Sequence, residues 1–290
     1  MRLYTIEKNG KAQVAIEVAE KLYALESFGI SVCDMNELIA IWDEIARELG
    51  EKLLQVKEGK TDIEPITDYT LLAPIVKPKQ DILCLGVNYK EHMEETVDIQ
   101  DFSEKTDAIY FSKRVNRCTA PGENIPNYDF VNQLDYEVEL GVILKKNASR
   151  VKKENVQEYI FGYTVINDVS ARNLQFKHKQ WYFGKSLDGY TPMGPCIVTT
   201  DELLDVYNLD IACYVNGECR QNSNTSLMIT TIEEAVEELS SGMTLEAGTV
   251  IATGTPGGVA LGMKPPVFLK SGDVIRCEIE KIGVLENIVA

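Results

Sequence analysis

Short apolar runs broken by Gly, Pro and Asn dominate the chain from Asp81 onward. Runs of this length between turn residues are typical of strands. Asn216-Gly217 and Ser271–Asp273 are turn signals between such runs. The predicted strands are Ile82–Gly86, Tyr136–Leu144, Tyr159–Asn167, Leu209–Val215, Thr249–Thr253, Val274–Ile279 and Val284–Val289.

The first 73 residues show a different pattern. The strand-like segments Arg2–Glu7 and Gln13–Val18 flank Asn9-Gly10, which is a strong hairpin signal. Between Asp34 and Leu49 the apolar residues recur with the spacing of one helix face, and Asp34 is a candidate N-cap. We therefore expect a small α/β domain over residues 1–73.

Two further helices are predicted among the strands of residues 74–290. Ser170–Gln180 directly follows a predicted strand, and Thr231–Ser241 begins with a threonine cap and an acidic first turn. Because the strands outnumber the helices, this second domain is expected to be strand-rich. The fold class predicted for the whole chain is α+β.

The composition narrows the classes of partner. A net charge of −16 over 290 residues argues against nucleic acid and anionic membranes, which need a basic surface. No run of about 18 apolar residues predicts a membrane span, and the start lacks the pattern of a secretory signal. Seven cysteines without a CxxC pair indicate free thiols in a reducing cytoplasm. An anionic substrate would need a local source of positive charge.

Two acidic residues stand close together in a predicted strand. Side chains alternate along a strand, so Glu137 and Glu139 point to the same face, within a mainly apolar run. Two neighbouring carboxylates that lose hydration repel each other, and a hard cation such as Mg²⁺ compensates for this. An exposed strand face with two solvated acids fits the spacing equally well.

A third acid, Asp168, ends the apolar run Phe161–Asn167. Its alternative role is to cap the following helix, a role that Ser170 is also suited to fill. With Ser170 as the cap, Asp168 is available to complete a shell of three carboxylates for Mg²⁺ or Mn²⁺, with water and a chelating substrate as the other ligands.

One of the two histidines lies next to an acid at helical spacing. His92 and Glu95 are three residues apart and share a face on a helical turn. A carboxylate fixes the histidine tautomer and raises its basicity, so the pair is a candidate for activating water. The alternative is a surface helix with an incidental histidine. His178 lies between two lysines and is interpreted as a solvated helix residue.

Basic groups and a glycine-rich turn complete the candidate site. Lys185 is flanked by Gly184 and is placed to bind a carboxylate or a developing enolate. Arg172 lies one helical turn after Asp168, and Lys113 is a further candidate. The turn Thr253–Val259 lacks the P-loop and GxGxxG patterns, but its amides and Thr255 are suited to holding a carboxylate. Each of these basic side chains is also compatible with an ordinary surface charge.

Taken together, these segments resemble the fumarylacetoacetate hydrolase family, in its short bacterial form. The resemblance covers the chain from about Pro74 to the C-terminus and rests on six segments in the same order. They are Gly86–Glu95 with Asn88-Tyr89 and His92, Asp135–Glu139, Asn167–Gln175, Gly184–Asp188, Asn216–Glu218 with Arg220-Gln221, and Thr253–Pro256.

The resemblance implies a mixed β-roll for the large domain and a homodimer in solution. It implies that Glu137, Glu139 and Asp168 bind Mg²⁺ or Mn²⁺. It also implies that His92 and Glu95 form a water-activating pair on a segment that orders over the substrate. Further positions match family residues that contact substrate or support the metal shell, namely Lys185, Arg172, Gln175, Thr255 and Lys113.

The function expected from these residues is hydrolysis of a carbon–carbon bond in a small 2,4-diketo acid such as an acylpyruvate. The 2-oxo acid group would chelate the metal, His92 would activate water, and Lys185 would neutralise the growing enolate charge. Oxaloacetate-type decarboxylation and 2-hydroxydienoate isomerisation or tautomerisation on the same metal are alternatives. A non-catalytic binding domain with a structural cation is an alternative of a different class.

Overall fold

The computed structural model describes residues 1–96 and 107–290. Seventeen strands lie within these two ranges. They are β1 (Arg2–Lys8), β2 (Lys11–Val18), β3 (Lys21–Ala24), β4 (Thr70–Leu72), β5 (Ile82–Gly86), β6 (Ile109–Lys113), β7 (Asn124–Ile125), β8 (Leu134–Asp135), β9 (Val138–Leu144), β10 (Ile160–Asn167), β11 (Ser170–Ala171), β12 (Met193–Thr199), β13 (Asp210–Val215), β14 (Glu218–Asn224), β15 (Val250–Ala252), β16 (Val274–Ile279) and β17 (Gly283–Val289).

The helices are fewer and mostly short. The α-helices are α1 (Met35–Lys57), α2 (Lys90–Thr96), α3 (Arg172–Lys177), α4 (Tyr182–Lys185) and α5 (Ile232–Gly242). Short 3₁₀-helices cover Leu25–Phe28, Lys153–Tyr159, Thr225–Leu227 and Ala260–Gly262. None of the helices in the described part of the chain combines the length and the apolar character that crossing a bilayer requires.

Three sheets organise the described strands. The largest has the order β3-β2-β1-β12-β10-β9-β15-β5-β6, with β4 beside β1, and the second has the order β14-β13-β16-β17-β7. Strands β8 and β11 form the third. Because β1 pairs with β12, the N-terminal hairpin continues the sheet of the larger part of the chain. The domain division at residue 73 stays a prediction.

Two hydrophobic layers cover the largest sheet. Along β9, Val142 joins a cluster shared with β13 and β16 of the second sheet, whereas Ile143 joins a cluster shared with α1. Neighbouring strand residues face opposite sides, so the two clusters lie on opposite faces of the sheet. In the α1 cluster, the Trp42 ring meets the Phe161 ring edge-on, with centroids 5.1 Å apart. Every residue of β9 is therefore buried.

The predicted mixed fold is confirmed, and most predicted strands lie within two residues of the observed ones. Asn9 and Gly10 both have positive φ, as a tight hairpin turn requires. Asp34 caps α1, which extends beyond Leu49 because Leu53 and Val56 continue its packing face. Other strands, including β6, β12 and β14, were not predicted.

Two predicted elements were wrong in extent. The single helix predicted over 170–180 is instead strand β11 followed by α3, and α4 forms separately, because Ser170 pairs with Asp135 and α3 ends at Lys177. Ser170 does not cap this helix, since its hydroxyl donates to the Asp168 carbonyl. The strand predicted from Tyr136 is interrupted before Val138, because the Glu137 amide donates to the side chain of Asn167.

Candidate active site

Three acidic side chains meet at one end of the β9–β10 pair. Glu139 lies on β9 opposite Ile166 of β10, Glu137 precedes β9, and Asp168 follows β10. The Asp168 amide donates to the Glu137 carbonyl at 2.8 Å, which fixes the two chain segments together. One carboxylate oxygen from each acid lies within 4.8 Å of the others, and all three residues are buried. The predicted convergence of these three acids is confirmed.

Positive charges lie against this cluster. The Lys185 ammonium is 2.5 Å from Glu137 Oε2 and 2.7 Å from Asp168 Oδ2. The Arg172 guanidinium donates to the other Glu137 oxygen at 2.5 Å. Both basic side chains are buried, so these ion pairs are shielded from water and strong. The predicted local source of positive charge in an acidic protein is therefore present.

The two glutamates lie in opposite electrostatic environments. Burial would raise the pKa of Glu137, but the charges of Lys185 and Arg172 outweigh it and hold this pKa well below its usual range. Burial, together with the negative charges of Asp168 and Glu137, raises the pKa of Glu139 well above its usual range. Glu139 is thus the carboxylate with the least compensated charge.

Lys113 does not lie on the wall of the pocket. It is fully buried behind Asp168, where its ammonium donates to Asp168 Oδ1 at 2.5 Å and to the carbonyls of Val169 and Tyr190 at 3.2 and 2.7 Å. These three partners use all its donors. The predicted substrate contact of Lys113 is therefore replaced by a contact that holds a candidate metal ligand.

A buried arginine connects several of these groups. Besides Glu137, Arg172 donates to Gln175 Oε1 at 3.0 Å and, through Nε, to Asp135 Oδ2 at 2.8 Å. Asp135 has no solvent exposure, and no role was predicted for it. The sequence contained a signal for such a role, because Asp135 continues the period-two spacing of Glu137 and Glu139.

The two residues of the candidate dyad form a hydrogen-bonded pair on α2. His92 Nδ1 and Glu95 Oε1 are 2.7 Å apart, and the Gly258 amide donates to the other Glu95 oxygen at 2.8 Å. His92 is only 7% exposed and lines the same pocket as Glu137 and Glu139, unlike an incidental surface histidine. His178 is exposed, as predicted.

The glycine-rich turn after β15 closes the site from another side. The Gly254 amide donates to Glu139 Oε2 at 2.8 Å. Thr255 lines the pocket, but its hydroxyl donates to the Val138 carbonyl at 2.9 Å and accepts from Gln221 Nε2 at 2.7 Å. Gln221 was not predicted to have a role, although it belongs to a segment that carried the family resemblance.

An apolar wall completes the pocket. Phe111 and Trp181 meet edge to face, with ring centroids 5.1 Å apart, and the Lys185 ammonium lies 5.2 Å from the Phe111 ring centroid. Val87 adopts φ of 53°, an uncommon conformation for a β-branched residue that is often found at functional sites. The remaining apolar lining residues are Leu85, Gly86, Phe176 and Leu261.

Known proteins are similar to this chain in sequence and fold. The family described as fumarylacetoacetate (FAA) hydrolase C-terminal matches residues 81–290. Oxaloacetate tautomerase YisK of Bacillus subtilis (strain 168) is 41% identical over 273 residues, which cover 92% of this chain and 89% of the relative. The mitochondrial oxaloacetate tautomerase FAHD2A of Homo sapiens is 38% identical over 246 residues, covering 83% and 77% of the two chains.

Solved structures agree with this assignment. A fumarylacetoacetate hydrolase from psychrophilic Exiguobacterium antarcticum has a TM-score of 0.84 and 38% identity, with 100% of this chain and 99% of that chain covered. The 2-hydroxyhepta-2,4-diene-1,7-dioate isomerase from Mycobacterium marinum has a TM-score of 0.74 and 27% identity, with 100% and 98% covered. The chain belongs to the fumarylacetoacetate hydrolase family.

Proposed function

We propose that this protein is a Mg²⁺- or Mn²⁺-dependent tautomerase of small 2-oxo acids, with oxaloacetate as the substrate to test first. The observation that carries the proposal is the meeting of the buried acids Glu137, Glu139 and Asp168 beside a pocket. Glu137 and Glu139 line this pocket together with His92 and Lys185. The two relatives described above support this choice, because both are named oxaloacetate tautomerases.

The charges around the site fit a divalent cation. The described residues around the site include four buried carboxylates and three buried basic groups, and Glu139 is the acid with the raised pKa. The seven residues are Asp135, Glu137, Glu139, Asp168, Lys113, Arg172 and Lys185. An all-oxygen donor set suits Mg²⁺ or Mn²⁺. When bound, such an ion supplies Lewis-acid polarisation of a carbonyl oxygen and orients the substrate.

The protein's own groups are suited to moving a proton. An ionised Glu95 carboxylate only accepts hydrogen bonds, so in the neutral imidazole of His92 this contact places the proton on Nδ1 and makes Nε2 the available base. In a keto–enol tautomerisation, His92 Nε2 would take a proton from C3 of the 2-oxo acid, and a proton would return to the 2-oxo oxygen. Water is neither consumed nor released, so the reaction balances.

The basic side chains are suited to the charge that develops on the substrate. Lys185 lies between Glu137 and Asp168 and would neutralise negative charge on the 2-oxo oxygen. Arg172 and Gln175 line the same pocket and are hydrogen-bonded to each other, so they would orient the substrate carboxylate as a unit. Thr255 would donate a hydrogen bond to the substrate only by giving up its present bond to the Val138 carbonyl.

Carbon–carbon hydrolysis, the function expected first from the sequence, is the second candidate. The His92–Glu95 pair favours it, because Nε2 of a neutral His92 is able to take a proton from water. The relatives reported above support tautomerisation or isomerisation better. The homodimer is proposed on the family resemblance alone, and the cytoplasmic location is proposed on the seven cysteines without a CxxC pair.

The test is a panel of reactions with the purified full-length chain. Ultraviolet absorbance follows the enol-to-keto conversion of oxaloacetate, pyruvate release follows decarboxylation, and loss of diketone absorbance follows acylpyruvate hydrolysis. We expect tautomerisation that requires Mg²⁺ or Mn²⁺, stops with chelator and is lost in His92→Ala, while the control His178→Ala keeps wild-type rates. A tautomerisation rate equal to that of buffer with metal would overturn the proposal, and acylpyruvate cleavage would favour hydrolysis.

A further inference from the structure

We propose that Asp135 is a positioning residue that holds the His92–Glu95 pair in place relative to the carboxylate site formed by Glu137, Glu139 and Asp168. The proposal rests on the site whose function is proposed above, but it concerns geometry that is measurable without any substrate. Asp135 itself does not line the pocket, so it would act through its neighbours.

The Asp135 carboxylate is fully buried and accepts four hydrogen bonds. Oδ1 accepts from the amides of Tyr136 and Ala260 at 2.9 and 2.8 Å. Oδ2 accepts from the Leu261 amide at 3.1 Å and from Arg172 Nε at 2.8 Å. A carboxylate has about four lone-pair positions, so Asp135 is saturated and its orientation is fixed.

On one side, Asp135 fixes the guanidinium that holds the carboxylate site. With its Nε bound to Asp135, Arg172 directs its two remaining nitrogens to Glu137 and to Gln175. The planar fork of a guanidinium transmits orientation, because its donors cannot rotate independently. Asp135 therefore sets the angle at which Arg172 meets Glu137.

On the other side, Asp135 holds the segment Gly257–Gly262, which supports α2. The Gly258 amide of this segment donates to Glu95 Oε2. At Gly262, an added Cβ would lie 2.5 Å from that same oxygen, so only glycine lets the segment approach Glu95 this closely. An added Cβ at Gly257 would lie 2.9 Å from the Cβ of Glu91, also on α2.

The position of His92 consequently depends on this segment. The described part of α2 contacts this segment through Glu91 and Glu95. Releasing Ala260 and Leu261 from Asp135 would let Gly258 move away from Glu95. The Glu95 carboxylate would then no longer hold the imidazole of His92 in one orientation.

The presence of only two histidines makes the test direct. In full-length protein labelled with ¹⁵N in the imidazole rings, the His92 Nδ1–H signal reports its hydrogen bond to Glu95. The exposed His178 is a reference signal outside the site, and circular dichroism reports folding. His178→Ala assigns the two signals.

In Asp135→Asn, one oxygen acceptor becomes an amide donor that faces Arg172 or the segment. We expect the His92 Nδ1–H signal to shift or disappear while the His178 signal stays in place, and kcat to fall about 10- to 100-fold. The matched control is Asp62→Asn, the same change at an exposed aspartate in the N-terminal part of the chain, which should leave both signals unchanged. An unchanged His92 signal in folded Asp135→Asn would overturn the proposal.

A second variant covers the case in which Asp135→Asn does not fold. The Tyr136 hydroxyl donates to the Gly258 carbonyl at 2.9 Å, so Tyr136→Phe loosens the same segment without changing a charge. We expect a smaller shift of the His92 signal in this variant. No shift would overturn the inference, whether or not the protein proves to be a tautomerase.

Discussion

Gly86, the last residue of β5, lies directly against the indole ring of Trp181. A Cβ built on Gly86 would overlap that ring and would also lie 3.1 Å from Ile109 Cγ2. Two elements that are distant in sequence therefore meet at the pocket wall with no space for a methyl group.

We predict that Gly86→Ala displaces Trp181 and lowers kcat/KM at least about tenfold, because overpacking costs about 1–3 kcal/mol and the displaced ring lines the pocket. Steady-state kinetics measure the effect. The control is Gly242→Ala, where a Cβ would meet no atom within 4 Å, and its kinetics should match wild type. Wild-type kinetics in Gly86→Ala would show that the Trp181 position is unimportant.

The two glutamates of the carboxylate cluster should respond to neutralisation with opposite signs in the metal-free chain. Glu137→Gln leaves Lys185 and Arg172 without a full counter-charge and should lower the free energy of unfolding by about 3–5 kcal/mol. Glu139→Gln replaces a carboxyl group whose ionised form is disfavoured by burial and by the charges of Asp168 and Glu137, and at neutral pH it should raise the free energy of unfolding by about 0.5–2 kcal/mol.

Urea unfolding in the presence of chelator measures both changes in the free energy of unfolding. Calorimetry with Mg²⁺ measures the effect of each substitution on metal binding. Both variants should lose Mg²⁺ binding, so Glu139→Gln should be more stable and yet inactive. Equal destabilisation by the two substitutions would contradict the charge balance described for this site.

The pH dependence of stability in the metal-free chain should follow from Glu139. Burial and the charges of Asp168 and Glu137 raise its pKa, so its favourable contribution is complete below the ordinary value of 4.5 and is lost as the pH rises through the raised value. The stability difference between Glu139→Gln and wild type should therefore be small near pH 4 and grow toward neutral pH. Chelator-treated samples unfolded across this range test the sign, and a constant difference would refute it.

Helix α5 should contribute a separate dependence on acid. Thr231 and Glu234 form a capping box, and Lys153 lies 2.7 Å from Glu234. The Lys153 hydrogen bond, followed by those of Thr231, lowers the pKa of Glu234 to about 2. Its contribution is therefore present above the ordinary value of 4.5 and is lost as the pH falls toward 2.

Because Glu234 is partly exposed, solvent screening reduces the effect, and Thr231→Ala should cost only about 1 kcal/mol at neutral pH. Glu234→Gln should be destabilising at neutral pH and nearly neutral at pH 2, measured by thermal unfolding. Exposed Glu246, which lies outside the helix, is the control for a Glu→Gln change. A loss of stability that is independent of pH would argue against the charged capping interaction.

Two of the pairs that the sequence alone identified meet because their members are close together in the sequence. Glu137 and Glu139 are two residues apart on a strand, His92 and Glu95 are three apart on a helix, and in both pairs the structure brings the side chains together. Asp168 was also predicted correctly to meet Glu137 and Glu139, and it does so because β9 and β10 are neighbours in the sheet.

The features that could not be predicted depend on contacts between distant segments. The burial of Lys113 behind Asp168 requires the pairing of β5 with β6, and the contact between Gly86 and Trp181 requires α4 to fold back over the end of β5. Lys185, in contrast, stands 17 residues from Asp168, and only its glycine-flanked setting indicated a role. Periodicity within one segment carries no information on such long-range packing.

The pairing of β1 with β12 has a consequence for any shortened version of the protein. A fragment that began after the N-terminal hairpin would leave the amide and carbonyl groups of β12 without β1 as their partner, next to the buried side chains of Ile197 and Val198. An uncovered strand of this kind invites pairing with other molecules. The first residues thus protect the edge of β12, and we expect a fragment without them to aggregate more readily than the full chain.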